Sequence, residues 1–69
     1  MGYNELLDAF RERTRKYKGN GKIADYCARL ESNYHGFGWP AIYASYAIKR
    51  VVDMTDKELL SHFTALGLL

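Results

Sequence analysis

The side chains best suited to catalysis or metal binding in this 69-residue chain are one cysteine, Cys27, and two histidines, His35 and His62. Neither histidine has a carboxylate or a second histidine at metal-ligand spacing, and one cysteine provides neither an intrachain disulfide nor a cysteine-based zinc site. Cys27 falls beside Ile23 and Leu30 on the apolar side of a predicted helix, the usual setting of an inert buried thiol. A Cys27–His35 nucleophile pair would need an oxyanion motif and a cleft that the sequence does not indicate. The sequence therefore predicts no enzyme, no metal site and no cofactor.

The most distinctive segment is 34–40, Tyr-His-Gly-Phe-Gly-Trp-Pro. In one interpretation Gly36 and Gly38 let the chain turn sharply, so that Phe37 and Trp39 are presented as interface anchors or as platforms for unpaired bases. In the other, Trp39 packs under the following helix and Phe37 closes the core. Both interpretations stay open at this point. The candidate partner-binding residues are Tyr34, Phe37, Trp39 and Tyr43.

The third predicted helix carries further rings outside its best-buried arc. Tyr43 and Tyr46, with Ile42, either fill the core or form a dimer seam or a partner groove. The end of the chain, Leu66-Gly67-Leu68-Leu69, is also apolar and either tucks into the domain or packs against another chain.

Charge is concentrated near the end of the first predicted helix. Residues 11–22 contain six basic residues and one acid, a net charge of +5, whereas the rest of the chain has four basic and seven acidic residues, a net charge of −3. Such a cluster either attracts phosphates or an acidic protein surface, or is a solvated helix face. The candidate basic surface consists of Arg11, Arg15, Lys18 and Lys22.

Sequence-specific DNA recognition finds little support. The segment 22–27 resembles the first helix of a helix-turn-helix motif, but the helix is predicted to continue to Tyr34 and the next helix is too apolar to lie in a major groove. No segment has the length of a membrane span or the pattern of a signal peptide, and we expect a cytoplasmic protein without membrane contact.

Apolar periodicity and capping residues predict one all-α domain over residues 1–69, a compact bundle of about four short helices at approximately 4–18, 22–34, 40–52 and 56–66. Asn4 is a candidate cap for the first helix and Asn20 or Gly21 for the second, while Pro40 is predicted to be the first residue of the third. Thr55 and Glu58 form a predicted capping box for the fourth.

The inward faces follow from the same spacing. The third helix is apolar nearly all round, which predicts a central helix buried on several sides. The fourth is expected to turn four residues inward: Leu59, Leu60, Phe63 and Leu66.

These observations predict a small non-enzymatic helical module that binds a larger protein as an inhibitor or regulator, in the style of accessory proteins carried by phages and other mobile elements. Nucleic-acid binding, through the basic surface and the rings of the central loop, is the alternative. Homodimerisation through the third helix remains a third hypothesis.

Overall fold

The structure, a computed structural model, describes residues 2–69 and confirms the all-α fold. Within this range lie α1 (Tyr3–Thr14), α2 (Gly21–Tyr34), α3 (Trp39–Asp53) and α4 (Asp56–Ala65), with a 3₁₀ turn at Arg15–Tyr17 after α1. Both α1 and α2 pack against α3, which is therefore the central helix, as predicted. The radius of gyration is 11.4 Å, close to the roughly 11 Å expected of a compact chain of this length.

The capping predictions hold for α2 and α4 and fail for α1. Asn20 accepts a hydrogen bond from the Ile23 amide (3.1 Å) at the start of α2, and the Thr55–Glu58 capping box is present at α4. Asn4 was predicted to cap α1, but the helix begins one residue earlier, with Gly2 at the cap position and no side-chain cap. Tyr3 lies in the first turn and is hydrogen-bonded to Tyr34, so the helix starts before Asn4.

The core lies where the four helices meet and is closed by aromatic contacts. Its buried apolar members are Leu7, Phe10, Ile23, Cys27, Tyr34, Ala44, Ile48, Val51, Leu59 and Phe63. Phe63 is fully buried, with the edges of Tyr17 and Tyr26 against its ring at centroid distances of 5.0 and 6.2 Å. Edge-to-face pairs of this kind add stability beyond the area they bury, which matters in a domain whose core is this small.

The end of the chain tucks into the domain. Gly67 adopts a left-handed conformation (φ +75°), its amide donates to Thr64, and the Leu68 amide donates to Phe63. These two bonds form a Schellman motif, which places Leu68 against the core. Asn20 also donates its side-chain amide to the Leu68 carbonyl (3.1 Å), joining the last residues to the start of α2.

Two predictions about buried faces were wrong. On α4, Leu60 and Leu66 are about half exposed, because Leu59 and Phe63 alone direct a short helix toward the core. The third helix was predicted to be buried on several sides, but in α3 only Ala44, Ile48 and Val51 are buried. The side of α3 that carries Trp39, Tyr43 and Tyr46 is exposed among the described residues 2–69.

Candidate interaction surface

The uncovered side of α3 and the loop before it carry five exposed apolar side chains, which we call the aromatic face: Phe37, Trp39, Ile42, Tyr43 and Tyr46. Phe37 is 93% exposed and Trp39 is 69% exposed, so neither ring closes the core. Tyr43 and Tyr46 are 65% and 63% exposed. The interpretation in which these rings fill the interior is therefore excluded by their positions.

Helical spacing brings the rings together. Trp39, Tyr43 and Tyr46 follow one another at steps of four and three residues, so they lie on the same side of α3. The rings of Trp39 and Tyr43 stack at a centroid distance of 6.1 Å with 29° between their planes. The rings are thus partly ordered before any partner arrives, which reduces the entropy that binding must remove.

Gly38 sets the direction in which the chain enters α3. Its backbone has φ +79° and ψ −162°, a conformation that a residue with a Cβ atom rarely adopts. Gly38 also occupies the N-cap position, where its carbonyl accepts from the Ile42 amide (3.2 Å). Pro40 is the second residue of α3, one position later than predicted, and still lies in the first turn, where its missing amide hydrogen has no helical partner. This turn lets Phe37 stand outside the domain immediately before the first ring of the helix.

Tyr34 does not join the aromatic face. It is 7% exposed, and its ring stacks on that of Tyr3 at 4.3 Å with 9° between the planes. The Tyr34 hydroxyl donates to the Tyr3 carbonyl (2.9 Å), and the Tyr3 hydroxyl lies 3.2 Å from the Tyr34 carbonyl and 2.6 Å from His35 Nδ1. Tyr34 therefore joins the end of α2 to the start of α1. These contacts among Tyr3, Tyr34 and His35 also fix the residues from which the loop to α3 begins.

Charged side chains lie at the far end of the aromatic face, where Lys49 and Arg50 are followed by the exposed carboxylate of Asp53, seven residues after Tyr46 and so on the same side of α3. The sequence from residue 32 to residue 52 contains no Asp or Glu, and its charged side chains are Lys49 and Arg50, both exposed. Arg50 follows Tyr46 by four residues and so continues the row of rings. An acidic group on a partner would complement Arg50 at this end of the face.

Two of the four residues of the predicted basic surface form ion pairs within the molecule. Arg11 makes an ion pair with Glu31 at 2.8 Å and Arg15 pairs with Glu12 at 3.2 Å. Lys18 and Lys22 have no carboxylate within 4.0 Å in residues 2–69. Exposed ion pairs are weak and exchange with solvent, but they leave fewer cations ready for phosphate than the sequence suggested.

On the opposite flank of α1, Arg13 and Lys16 converge on Asp56 at 2.8 and 3.4 Å. Arg13 also donates to the Met54 carbonyl. The hydrogen bonds from Arg13 and Lys16 lower the pKa of the Asp56 carboxyl. These contacts join α1 to the connection between α3 and α4, and their role is structural.

The remaining groups of chemical interest show no site. Cys27 is buried, and burial raises the pKa of its thiol, which disfavours the reactive thiolate. Burial, and then the nearby Arg50, lower the pKa of His62, which favours the neutral ring. Across residues 2–69 there is no group of three or more His, Cys, Asp or Glu side chains placed to hold a metal ion. The described helices also include none that is long and apolar enough to cross a membrane.

No protein-family model matches the chain, and no curated protein or solved structure is detectably similar to it.

The sequence identified most of this surface but not its extent. Of the four predicted partner-binding residues, Phe37, Trp39 and Tyr43 are exposed and Tyr34 is buried; partner binding by the three exposed residues stays a prediction. Ile42 and Tyr46 complete the face. Their position outside the buried arc of α3 was the signal that pointed to them.

Proposed function

We propose that this protein is a non-enzymatic helical module that inhibits or regulates a larger protein by occupying one of its surfaces with the aromatic face. The observation that carries the proposal is the exposure of four aromatic rings in one 10-residue stretch, at Phe37, Trp39, Tyr43 and Tyr46. With side chains of this size, the exposed ring surface amounts to about 600 Å². Monomeric domains rarely leave an apolar patch of that size without a function.

The chemistry of the face defines the partner. Trp, Tyr and Arg are the residues that most often dominate binding energy in protein interfaces, and Trp39, Tyr43 and Arg50 stand in one row. A helix that presents such a row fits an apolar groove, which is how amphipathic helices are commonly bound. Arg50, which continues the row of rings, favours a groove with an acidic group at the matching position of its rim.

Capture experiments with matched variants test the proposal. A nuclease-treated lysate is passed over the tagged wild-type protein, the double variant Phe37→Ala/Trp39→Ala, and the control Leu60→Ala/Leu66→Ala. The control removes two half-exposed leucines outside the aromatic face. We expect one protein to be retained by the wild type and the control and lost by the double variant, which keeps its helicity by circular dichroism.

The captured protein is then purified and its own activity is titrated with each variant. Loss of that activity at stoichiometric wild-type protein, but not with the double variant, would support inhibition by occupancy. Equal capture by all three proteins would refute a role for the aromatic face.

Nucleic-acid binding ranks second, supported by Lys18 and Lys22, which pair with no carboxylate among residues 2–69, and by the exposed rings. It predicts retention that disappears on nuclease treatment and affinity that falls steeply with salt. Charge reversal of Lys18 and Lys22 should then abolish binding, whereas the first proposal expects these changes to leave binding unaltered.

A further inference from the structure

The row of exposed residues on α3 has the same spacing in both directions. Trp39, Tyr43, Tyr46 and Arg50 are separated by four, three and four residues. When two copies of α3 are placed antiparallel, this row aligns with itself. Trp39 then faces Arg50 of the second copy, and Tyr43 faces Tyr46. Such mutual correspondence is the requirement of a two-fold symmetric interface.

The two ends of the row are also chemically complementary. Trp39 offers an exposed indole at the start of α3, and Arg50 offers an exposed guanidinium about 16 Å further along the helix. A guanidinium placed over an indole gives the strongest of the common cation–π contacts. Two-fold symmetry would form this contact twice.

A cleft beside Arg50 can receive the projecting ring of the loop. The cleft lies between α3 and α4, has a volume of about 460 Å³, and is lined by Arg50, Met54, Lys57, Glu58, Ser61 and His62. In the antiparallel arrangement, the chain before Trp39 of the second copy passes this end of α3. Phe37, which is 93% exposed in the single chain, would be covered there.

We infer that a second copy of the chain covers the aromatic face in an antiparallel α3–α3 dimer. In this dimer the face is inaccessible to a partner until the partner displaces the second copy. The inference rests on the proposed function, since the face being regulated is the one assigned to partner binding. The exposed ring surface of about 600 Å² per copy approaches the roughly 800 Å² per partner of a standard stable interface. Antiparallel alignment also places the opposite dipole ends of the two helices side by side.

Sedimentation equilibrium of the isolated chain gives the first test. The apparent mass should rise from 8.0 kDa toward twice that value as concentration increases from about 1 to 500 µM, the range of a moderate affinity. Arg50→Ala should weaken dimerisation by at least about fivefold, because it removes both cation–π contacts. Lys49→Ala is the matched control, since its side chain lies roughly a quarter turn away from the row.

A mass of 8.0 kDa at every concentration would overturn the inference, as would equal weakening by the Arg50 and Lys49 variants.

Helix orientation is tested by spin labels at Asp53→Cys in a Cys27→Ala background. Antiparallel pairing places the two labels about 25–30 Å apart, whereas parallel pairing would place them about 10 Å apart and would refute the arrangement.

The outcomes separate the two proposals. A chain that stays monomeric but loses its captured partner on Phe37→Ala/Trp39→Ala overturns the dimer and supports the proposed function. A dimer with the expected orientation supports self-association through α3. If the variant Phe37→Ala/Trp39→Ala then captures the same proteins as the wild type, the proposed function is overturned.

Discussion

Tyr34 and Tyr43 are both tyrosines of the aromatic region, and the structure gives them opposite roles that a pair of conservative substitutions can separate. Tyr34→Phe removes the hydroxyl that donates to the Tyr3 carbonyl at 2.9 Å and keeps the stacked ring. Loss of one such hydrogen bond costs about 1 kcal/mol of unfolding free energy. Tyr43→Phe removes a hydroxyl from a side chain that is 65% exposed, and such surface changes stay within about 0.5 kcal/mol.

The expected difference is large for so small a domain. A chain of 69 residues has a total stability of roughly 3–10 kcal/mol, and 1 kcal/mol corresponds to a shift in Tm of about 4–8 °C. Tyr34→Ala should cost more, about 3–5 kcal/mol, because the buried ring and its stack are lost as well.

Urea and thermal unfolding followed by circular dichroism at matched protein concentration measure these values. The binding assay should report the reverse order, with Tyr43→Ala weakening partner capture and Tyr34→Phe leaving it unchanged. Equal stability of the Tyr34→Phe and Tyr43→Phe variants would refute the assigned role of Tyr34 in joining α2 to α1.

Four further outcomes follow from the geometry. Thr55→Ala should lower the unfolding free energy by about 1 kcal/mol in urea titrations through loss of the α4 cap, and Thr55→Ser should restore most of it. Gly67→Ala should cost about 1–2 kcal/mol, because φ is +75° and the left-handed region is unfavourable for alanine; the control Gly19→Ala, which has open space and no such φ, should not be destabilising. Because the pKa of Asp56 is lowered in the folded state, its stabilising contribution is complete above about pH 4 and is lost as pH falls through the lower folded value; Asp56→Asn should flatten this part of the stability profile measured by urea titration. Cys27 should react slowly with a thiol reagent in the native protein and rapidly in urea, since burial both shields it and raises its pKa; equal rates in the two states would contradict its buried position.

Local signals in the chain were sufficient to predict the helices. Capping at Thr55 and Asn20 depends on hydrogen bonds to amides only three residues away, so the same short segments that contain the signal also satisfy it. Termination at Gly67 is equally local, because its left-handed backbone is a property of the residue itself. The cap of α1 was predicted wrongly because the start of this helix involves a contact between distant residues. Tyr3 is hydrogen-bonded to Tyr34, which is 31 residues away in the chain.

Exposure of the aromatic face could not be decided in the same way. Amphipathic spacing predicts which residues share a side of α3, but not whether another helix covers that side. In the folded chain α1 and α2 both pack on α3, whose buried residues are Ala44, Ile48 and Val51, and α4 adds Leu59 and Phe63 to the core. Trp39 and Tyr46 remain in solvent.

Residue types and their spacing by themselves determined an all-α chain, the rings at 37, 39 and 43 as candidate contacts, and the concentration of positive charge at 11–22. Tertiary structure decided that Tyr34 is a structural contact, that Arg11 and Arg15 are paired with carboxylates, and that the outer side of α3 is open. The physical reason is the range of the interactions. Helix formation and capping act between neighbours in the chain, whereas burial and ion pairing depend on which distant segments fill the space around a side chain.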